Sequence, residues 1–164
     1  MLLNLIFYIK IMNQIKLKGK IISGVLRGKR TIKAYSPRII NLLGFKPFEG
    51  TLNLKIEKPI DIRRFATKKI SRILMNGSER IEAYLAPAVL CFKKKYNCWV
   101  IRQTNNVHKD DIIEIIAKDN LKEKFSLKEG NEVEVMLFEH EIKKRDPFKL
   151  IKQLYGRERQ LKKS

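Results

Sequence analysis

Thr51 and Asn53 stand two apart in EGTLNL, directly after Glu49 and Gly50. In a strand, residues i and i+2 leave the same face. A hydroxyl and an amide would therefore stand side by side there, with Leu52 and Leu54 on the other face. Two neutral oxygens suit a hard cation that keeps waters and takes its other ligands from phosphates, as Mg2+ does beside a nucleotide. The same alternation also describes a strand with one solvated polar face, so the pair by itself leaves both readings open. GVLRGKR, residues 24–30, offers glycine-permitted backbone N–H groups with three cations nearby, the composition of an anion-binding nest. Stronger catalytic patterns are missing: the chain has no HExxH, no GxSxG and no GxxxxGK[ST], which excludes a P-loop phosphotransferase by pattern. His108 and His140 are far apart. Cys91 and Cys98 have neither CxxC nor histidine spacing, so they read as small, partly buried strand residues rather than metal ligands.

The elements that have to position these groups follow from periodicity and punctuation. KLKGKIISGV (16–25) reads as a strand ending at Gly24, and VLRGKR as a short glycine-containing loop. SPRIINLLG predicts one short helix, with Ser36 as N-cap, Pro37 at the first helical position and Gly44 at the stop. An irregular loop, GFKPFEG, leads into the strand TLNLKI. NGSE (76–79) predicts a hairpin turn between ISRILM and RIEAYLAPAVLCF, and KKKYN a second turn before the strand CWVIRQT. DIIEIIA reads as strand. DNLKEKFSLKEG reads as a short helix capped by Asp119 or Asn120 and closed by Gly130, and NEVEVMLF alternates as the last core strand. Several short strands, two short helices and no βαβ rhythm predict a mainly β fold, a single compact β-barrel with short helices. RDPFKLIKQLYG adds a basic amphipathic C-terminal helix, with Asp146 as N-cap and Pro147 at its first position.

Length and charge set the outer bounds. The 164 residues, 44% of them hydrophobic, suit one domain with a real core. The formal net charge is +19 and unevenly spread: residues 1–48 hold ten Lys and Arg and no acid, and residues 143–164 hold nine against two acids. Basic ends around a nearly balanced middle suggest an anionic partner, whether nucleotide, RNA or acidic surface. Sparse cysteine fits a reducing compartment. The apolar run in MLLNLIFYIKIM is too short to span a bilayer and lacks the flanks of a signal peptide. It reads as an extra strand or an extension, with Met12 as an alternative start. The expectation is a cytoplasmic monomer without a membrane partner, divided into an extension at 1–17, a barrel domain at 18–140 and a basic helical tail at 141–164.

Three blocks together carry a resemblance. KGKIISGVLRG, then EGTLNL within GFKPFEGTLNLKIEKPIDI, then HKDDIIEIIAKDNLKEKFSLKEGNEVEV occur in the order found in archaeal CTP-dependent riboflavin kinases. The match runs from about Lys18 to Leu137, with EGTLN its specific part. The resemblance implies a cradle-loop β-barrel that uses CTP and Mg2+ to phosphorylate riboflavin to FMN. It implies that Thr51 and Asn53 ligate Mg2+, that Val25, Leu26, Arg27, Gly28, Lys29 and Arg30 surround the nucleotide phosphates, and that Asp119, Asn120, Leu121 and Lys122 border the cytosine through backbone contacts. Asn106 and Glu114 would contact the flavin or its ribityl chain, and Glu114 is the best candidate to orient or deprotonate the acceptor hydroxyl. The chain departs from the family pattern in three places. GVLRG stands where the family reads like GLGEG, Asn106 stands where a threonine usually precedes His108 by two positions, and AKDNLK stands for A-P-x-x-L-R, so that Lys122 replaces an arginine and cannot form its bidentate fork. FSLKEGNEVEVML also resembles the swapped-hairpin barrels of AbrB-like transcription regulators. A nucleic-acid-binding barrel without catalysis is therefore the alternative.

Overall fold

The computed structural model describes residues 10–24, 27–75, 79–104 and 110–141. Internal contacts divide the chain into two units, Met1–Lys10 with Glu141–Ser164, and Ile11–His140. Only Lys10 and Glu141 of the first unit are described, and the second carries everything below. The basic helix expected over 146–155 lies outside the described residues.

Seven strands and two α-helices are described: β1 (Lys10–Ile22), α1 (Arg27–Leu43), β2 (Leu52–Ile56), β3 (Lys68–Met75), β4 (Glu79–Phe92), β5 (Lys94–Gln103), β6 (Ile112–Ile116), α2 (Leu121–Lys124) and β7 (Glu132–Glu141), with a 3-10 turn at Ile62–Arg64. The strand order is β3-β4-β5-β6-β2-β1-β7, and a further pairing of β4 with β7 closes six strands into a barrel, leaving β3 as a flap on β4. β4 can serve three partners because it is 14 residues long. Its first half pairs with β3, and Ala88 to Cys91 pair with β7. Pro87 falls where this edge passes from one partner to the other. The carbonyl of Leu85 accepts from Thr67 N at 3.0 Å, so Pro87, two residues on, directs its nitrogen to that same edge. A missing N–H is tolerated there because no ladder bond is due.

Alternation sorts the side chains. Leu52, Leu54 and Ile56 of β2 and Ile113 and Ile115 of β6 point into the barrel with Ile21, Leu90, Val100 and Val135. The outer face of β5 and β6 would be wet in a bare barrel. Here α1 lies over it and builds a second apolar layer from Ile32, Tyr35 and Ile39 against Ile101 and Ile116. This double coverage explains why DIIEIIA reads as an almost unbroken apolar run.

Several sequence expectations are corrected. The helix expected from Ser36 begins at Arg27, so residues 27–30 are helical rather than loop, and Pro37 lies inside the helix instead of opening it. The reason is tertiary. Ile32, Tyr35 and Ile39 are essentially fully buried, and burial of each such side chain contributes about 1.5–3 kcal/mol. Together these exceed the roughly 3 kcal/mol that an interior proline costs. Gly44 does end the helix as expected: at φ 76° it donates its N–H to Ile40 O at 2.8 Å. The turn expected over KKKYN shrinks to Lys93, at φ 54°, and Lys94–Asn97 belong to β5, paired with β4. The segment expected to be one helix up to Gly130 is helical only over Leu121–Lys124. Ser126, at φ 51°, breaks it, and Leu127 turns inward to the barrel core. Gly130 then donates to Ile21 O at 2.8 Å, tying this turn to the end of β1. β1 itself starts at Lys10, earlier than KLKGK suggested, because Ile15 and Leu17 pack on the barrel core. β3 and β4 pair as a hairpin from Met75 and Glu79 inward, while the turn residues 76–78 lie outside the described set. No helix among the described residues is long and apolar enough to cross a membrane.

Candidate active site

Asn53 lies in the middle of a sheet, paired with Ile22 of β1 on one side and Glu114 of β6 on the other. Because Leu52 and Leu54 take the barrel interior, Asn53 and Glu114 share the outer face. Both are buried, at 2% and 6% exposure. Thr51, the residue before β2, donates its Oγ1–H to Asn53 Oδ1 at 2.9 Å. The chain leaving β1 passes directly over this pair: a Cβ added to Gly24 would sit 3.2 Å from Asn53 Nδ2. A side chain there would have to displace the Asn53 amide by a few tenths of an ångström, so close approach rather than a turn conformation favours glycine.

This donor set fits a hard divalent cation. In an octahedron with metal–oxygen distances of 2.0–2.1 Å, adjacent oxygens lie about 2.9 Å apart, the separation of Thr51 Oγ1 and Asn53 Oδ1. Two neutral oxygens leave the rest of a coordination sphere to phosphates and water. Among the described residues no cluster of three or more His, Cys, Asp or Glu side chains offers an all-protein cage. The cysteines are as expected, Cys98 buried and Cys91 partly so, and burial pushes the Cys98 thiol up to about 12. That value makes it inert at neutral pH.

α1 contributes two polar groups that sequence reading missed. Thr31 and Tyr35 are buried, and their i, i+4 spacing puts both on the helix face that packs on the barrel. The Tyr35 hydroxyl has no hydrogen-bond partner among the described residues. Its pKa is raised, first by burial and then by the charge of Glu114. An unpaired buried hydroxyl costs about 1–3 kcal/mol. Tyr35→Phe, which keeps the ring and removes that group, is therefore expected to stabilise the ligand-free protein by about 1 kcal/mol, read as a higher urea midpoint with unchanged slope. A lower midpoint would show that the hydroxyl is satisfied in solution. The signal for these residues was present as helical spacing, but placing the helix start at Ser36 hid it.

A cleft of about 160 Å³ opens beside Thr51, walled by Phe48, Gly50 and Ala117 and by Asp119, Asn120, Leu121 and Lys122. It forms because Phe48 N donates to Ala117 O at 2.8 Å, which holds the loop before β2 against the end of β6. Thr51 and the 119–122 segment, some seventy residues apart in sequence, thus share one wall. Asn120 is the N-cap of α2 by backbone geometry but makes no side-chain capping bond. Asp119 is instead held by other groups. Its Oδ2 accepts from Tyr96 Oη at 2.9 Å and from Lys124 Nζ at 2.7 Å. Lys124 first, then Tyr96, holds the Asp119 carboxyl below the usual carboxylate range. Tyr96 is raised in turn, by burial first and then by its bond to Asp119. Neither Tyr96 nor Lys124 was singled out by sequence, since nothing local marks a tyrosine 23 residues upstream as a partner.

Thr51, Asn53 and Glu114 are brought together, and Asp119, Asn120, Leu121 and Lys122 join Thr51 through the cleft. Arg27, Gly28, Lys29 and Arg30 form the first described turn of α1, and their side chains lie outside the described set. Val25, Leu26 and Asn106 lie outside the described residues altogether.

The sequence model of the family labelled CTP-dep_RFKase, described as Domain of unknown function DUF120, matches residues 21–137. The chain is 29% identical over 125 residues to a riboflavin kinase of Methanococcus aeolicus, covering 74% of this chain and 98% of that protein. It is 34% identical over 129 residues to a riboflavin kinase of Staphylothermus marinus, covering 77% and 95%. A riboflavin kinase of Saccharolobus solfataricus matches at 29% identity over 133 residues, covering 77% and 76%.

Proposed function

Because the chain belongs to the CTP-dependent riboflavin kinase family, we propose that it is a phosphotransferase making FMN from riboflavin with CTP as donor and Mg2+ as cofactor. The observation that carries this reading is the convergence of the Thr51–Asn53 oxygen pair, the buried Glu114 carboxylate opposite it and the cleft running from Thr51 to Lys122. A metal held by Thr51 and Asn53 would supply charge neutralisation at the donor phosphates.

The remaining work falls to this chain's own groups. Glu114 stands opposite Asn53, where it would orient the ribityl 5′-hydroxyl and take its proton. A bond then forms between the 5′-oxygen and the γ-phosphorus while the bond from that phosphorus to the β–γ bridging oxygen breaks, and CDP leaves. Phosphoryl transfer asks little covalent chemistry of the protein, so positioning and electrostatics supply most of the acceleration. The start of α1, with Arg27, Lys29 and Arg30, suits the phosphates through helix N–H groups and cationic charge, a role assigned from sequence to a glycine nest. Val25 and Leu26 would complete that phosphate-binding segment. Asp119, Asn120, Leu121 and Lys122 would border the base, and Asn106 would touch the flavin.

The test is FMN formation from riboflavin and Mg2+ with CTP, ATP, GTP and UTP supplied separately. FMN with CTP, lost on chelation by EDTA and restored by Mg2+, is the expected result. No FMN with any donor would overturn the reading. FMN without a divalent ion would overturn the role given to Thr51 and Asn53.

A further inference from the structure

Tyr35 lies wholly buried in the apolar layer between α1 and the barrel, at 0% exposure, and its hydroxyl has no hydrogen-bond partner among the described residues. Such a group costs stability that a phenylalanine would not, so its presence calls for a partner that the ligand-free chain does not supply. Strand register places Glu114 beside it. Tyr35 packs in one cluster with Ile101 and Ile116. Ile101 is paired with Glu114 across β5 and β6, and Ile116, two residues on, leaves β6 on the same face as Glu114. Tyr35 thus covers the two apolar neighbours of a carboxylate that is itself buried. Burial first, and then the charge of Glu114, raises the phenol above its ordinary pKa, so it remains a protonated donor at neutral pH.

We propose that Tyr35 is a positioning residue for phosphoryl transfer: with riboflavin bound, its hydroxyl donates to one oxygen of Glu114 and leaves the other to the acceptor hydroxyl. The proposal rests on the placement of Glu114 at the ribityl 5′-hydroxyl.

The two partners differ in freedom. The Tyr35 ring is packed with Ile32 and Ile39 and the isoleucines of β5 and β6, whereas a glutamate turns about three side-chain bonds. Glu114 has interactions of its own in the ligand-free chain. A carboxylate offers about four acceptor sites, so a further donor does not displace them. A bond to a phenol held rigidly in the helix layer selects one orientation of the carboxylate. It forms away from water, where charge-assisted hydrogen bonds are strong. The same hydroxyl therefore weakens the ligand-free chain and serves the loaded one, the trade expected of a group kept for function.

Tyr35→Phe keeps the ring and removes only the donor. Glu114→Gln removes the carboxylate that this donor would orient. A hydroxyl that acts through Glu114 matters little once the carboxylate is gone, so the two substitutions should combine to much less than the product of their separate effects. Ile39→Val loosens the same layer without touching a polar group. A packing defect of that kind lowers the rate by the same factor in both backgrounds.

The experiment uses the full chain, with Tyr35→Phe and Ile39→Val each placed in the natural and the Glu114→Gln backgrounds. FMN formation, the urea midpoint, and calorimetric riboflavin affinity with CDP and Mg2+ present are measured for each. In the natural background Tyr35→Phe is expected to lower kcat about tenfold, with KM for CTP changed by less than about threefold. Riboflavin binding should weaken by about threefold or more, while the ligand-free midpoint rises. In the Glu114→Gln background the further loss of kcat is expected to stay under about twofold. Equal losses in both backgrounds, an unchanged kcat or a lowered ligand-free midpoint would overturn the proposal while FMN formation by the natural chain upholds the kinase reading. Weaker riboflavin binding in Tyr35→Phe that is absent from the Glu114→Gln background, with no FMN from any donor, would support the pairing and overturn the kinase reading instead. A natural chain that binds no riboflavin would overturn both.

Discussion

Asn53→Ala is expected to lower kcat for FMN formation by about 10²- to 10³-fold, the scale of removing one preorganised polar group from a charged transition state. The effect is large because Asn53 supplies one of only two protein oxygens at the pair, and its neighbour Thr51 is oriented by it through the 2.9 Å bond. The fold is expected to survive. Asn53 is held between β1 and β2 and between β2 and β6 by backbone ladders that alanine keeps, and the lost side-chain hydrogen bond is worth about 1 kcal/mol. Thr51→Ala should act in the same direction, and in both variants the Mg2+ concentration giving half-maximal rate should rise. Circular dichroism melting beside single-turnover kinetics checks this. Turnover within a few-fold of the natural chain in both variants would remove the metal from Thr51 and Asn53.

Glu114→Gln keeps the shape of the side chain and removes its charge and its capacity to take a proton. The expected fall in kcat is about 10²-fold, the lower end of what a positioned general base contributes. The lower end applies because a loose phosphoryl-transfer transition state needs little deprotonation of the nucleophile early on. KM for CTP is expected to change little, since Glu114 stands opposite Asn53 and does not line the cleft that holds Asp119 and Lys122. Steady-state kinetics with both substrates varied separately gives the answer. A rise in KM for CTP with kcat intact would place Glu114 on the donor and sink its assignment to the acceptor hydroxyl.

The legible and illegible parts of this protein divide by range of interaction. TLNLKI was legible because strict alternation has only one solution at a barrel wall, apolar residues in and Asn53 out. Gly44 was legible as a helix stop because a positive φ is a local demand. The extent of α1 was not, since Ser36 and Pro37 carry a strong local start signal that burial of Ile32, Tyr35 and Ile39 on β5 and β6 outweighs. Lys94–Asn97 read as turn by composition, yet pairing with β4 carries them into β5. The short α2 was masked in a similar way, since Leu127 joins the barrel core instead of continuing a helix to Gly130.

For the site, the sequence by itself determined the chemistry of single positions. A hydroxyl and an amide two apart on a strand share a face by backbone geometry alone, whereas Glu114 in DIIEIIA was marked only by the family resemblance. Tertiary structure decided what those groups meet. It set Glu114 opposite Asn53 through the β2–β6 register, laid Gly24 over the amide, buried Tyr35 beside Glu114, and joined Asp119 to Tyr96 and Lys124 on the wall that Thr51 also lines. Each of these contacts depends on strand register, barrel closure or helix docking. Those are fixed by packing summed over the whole barrel, and no local stretch of chain encodes them.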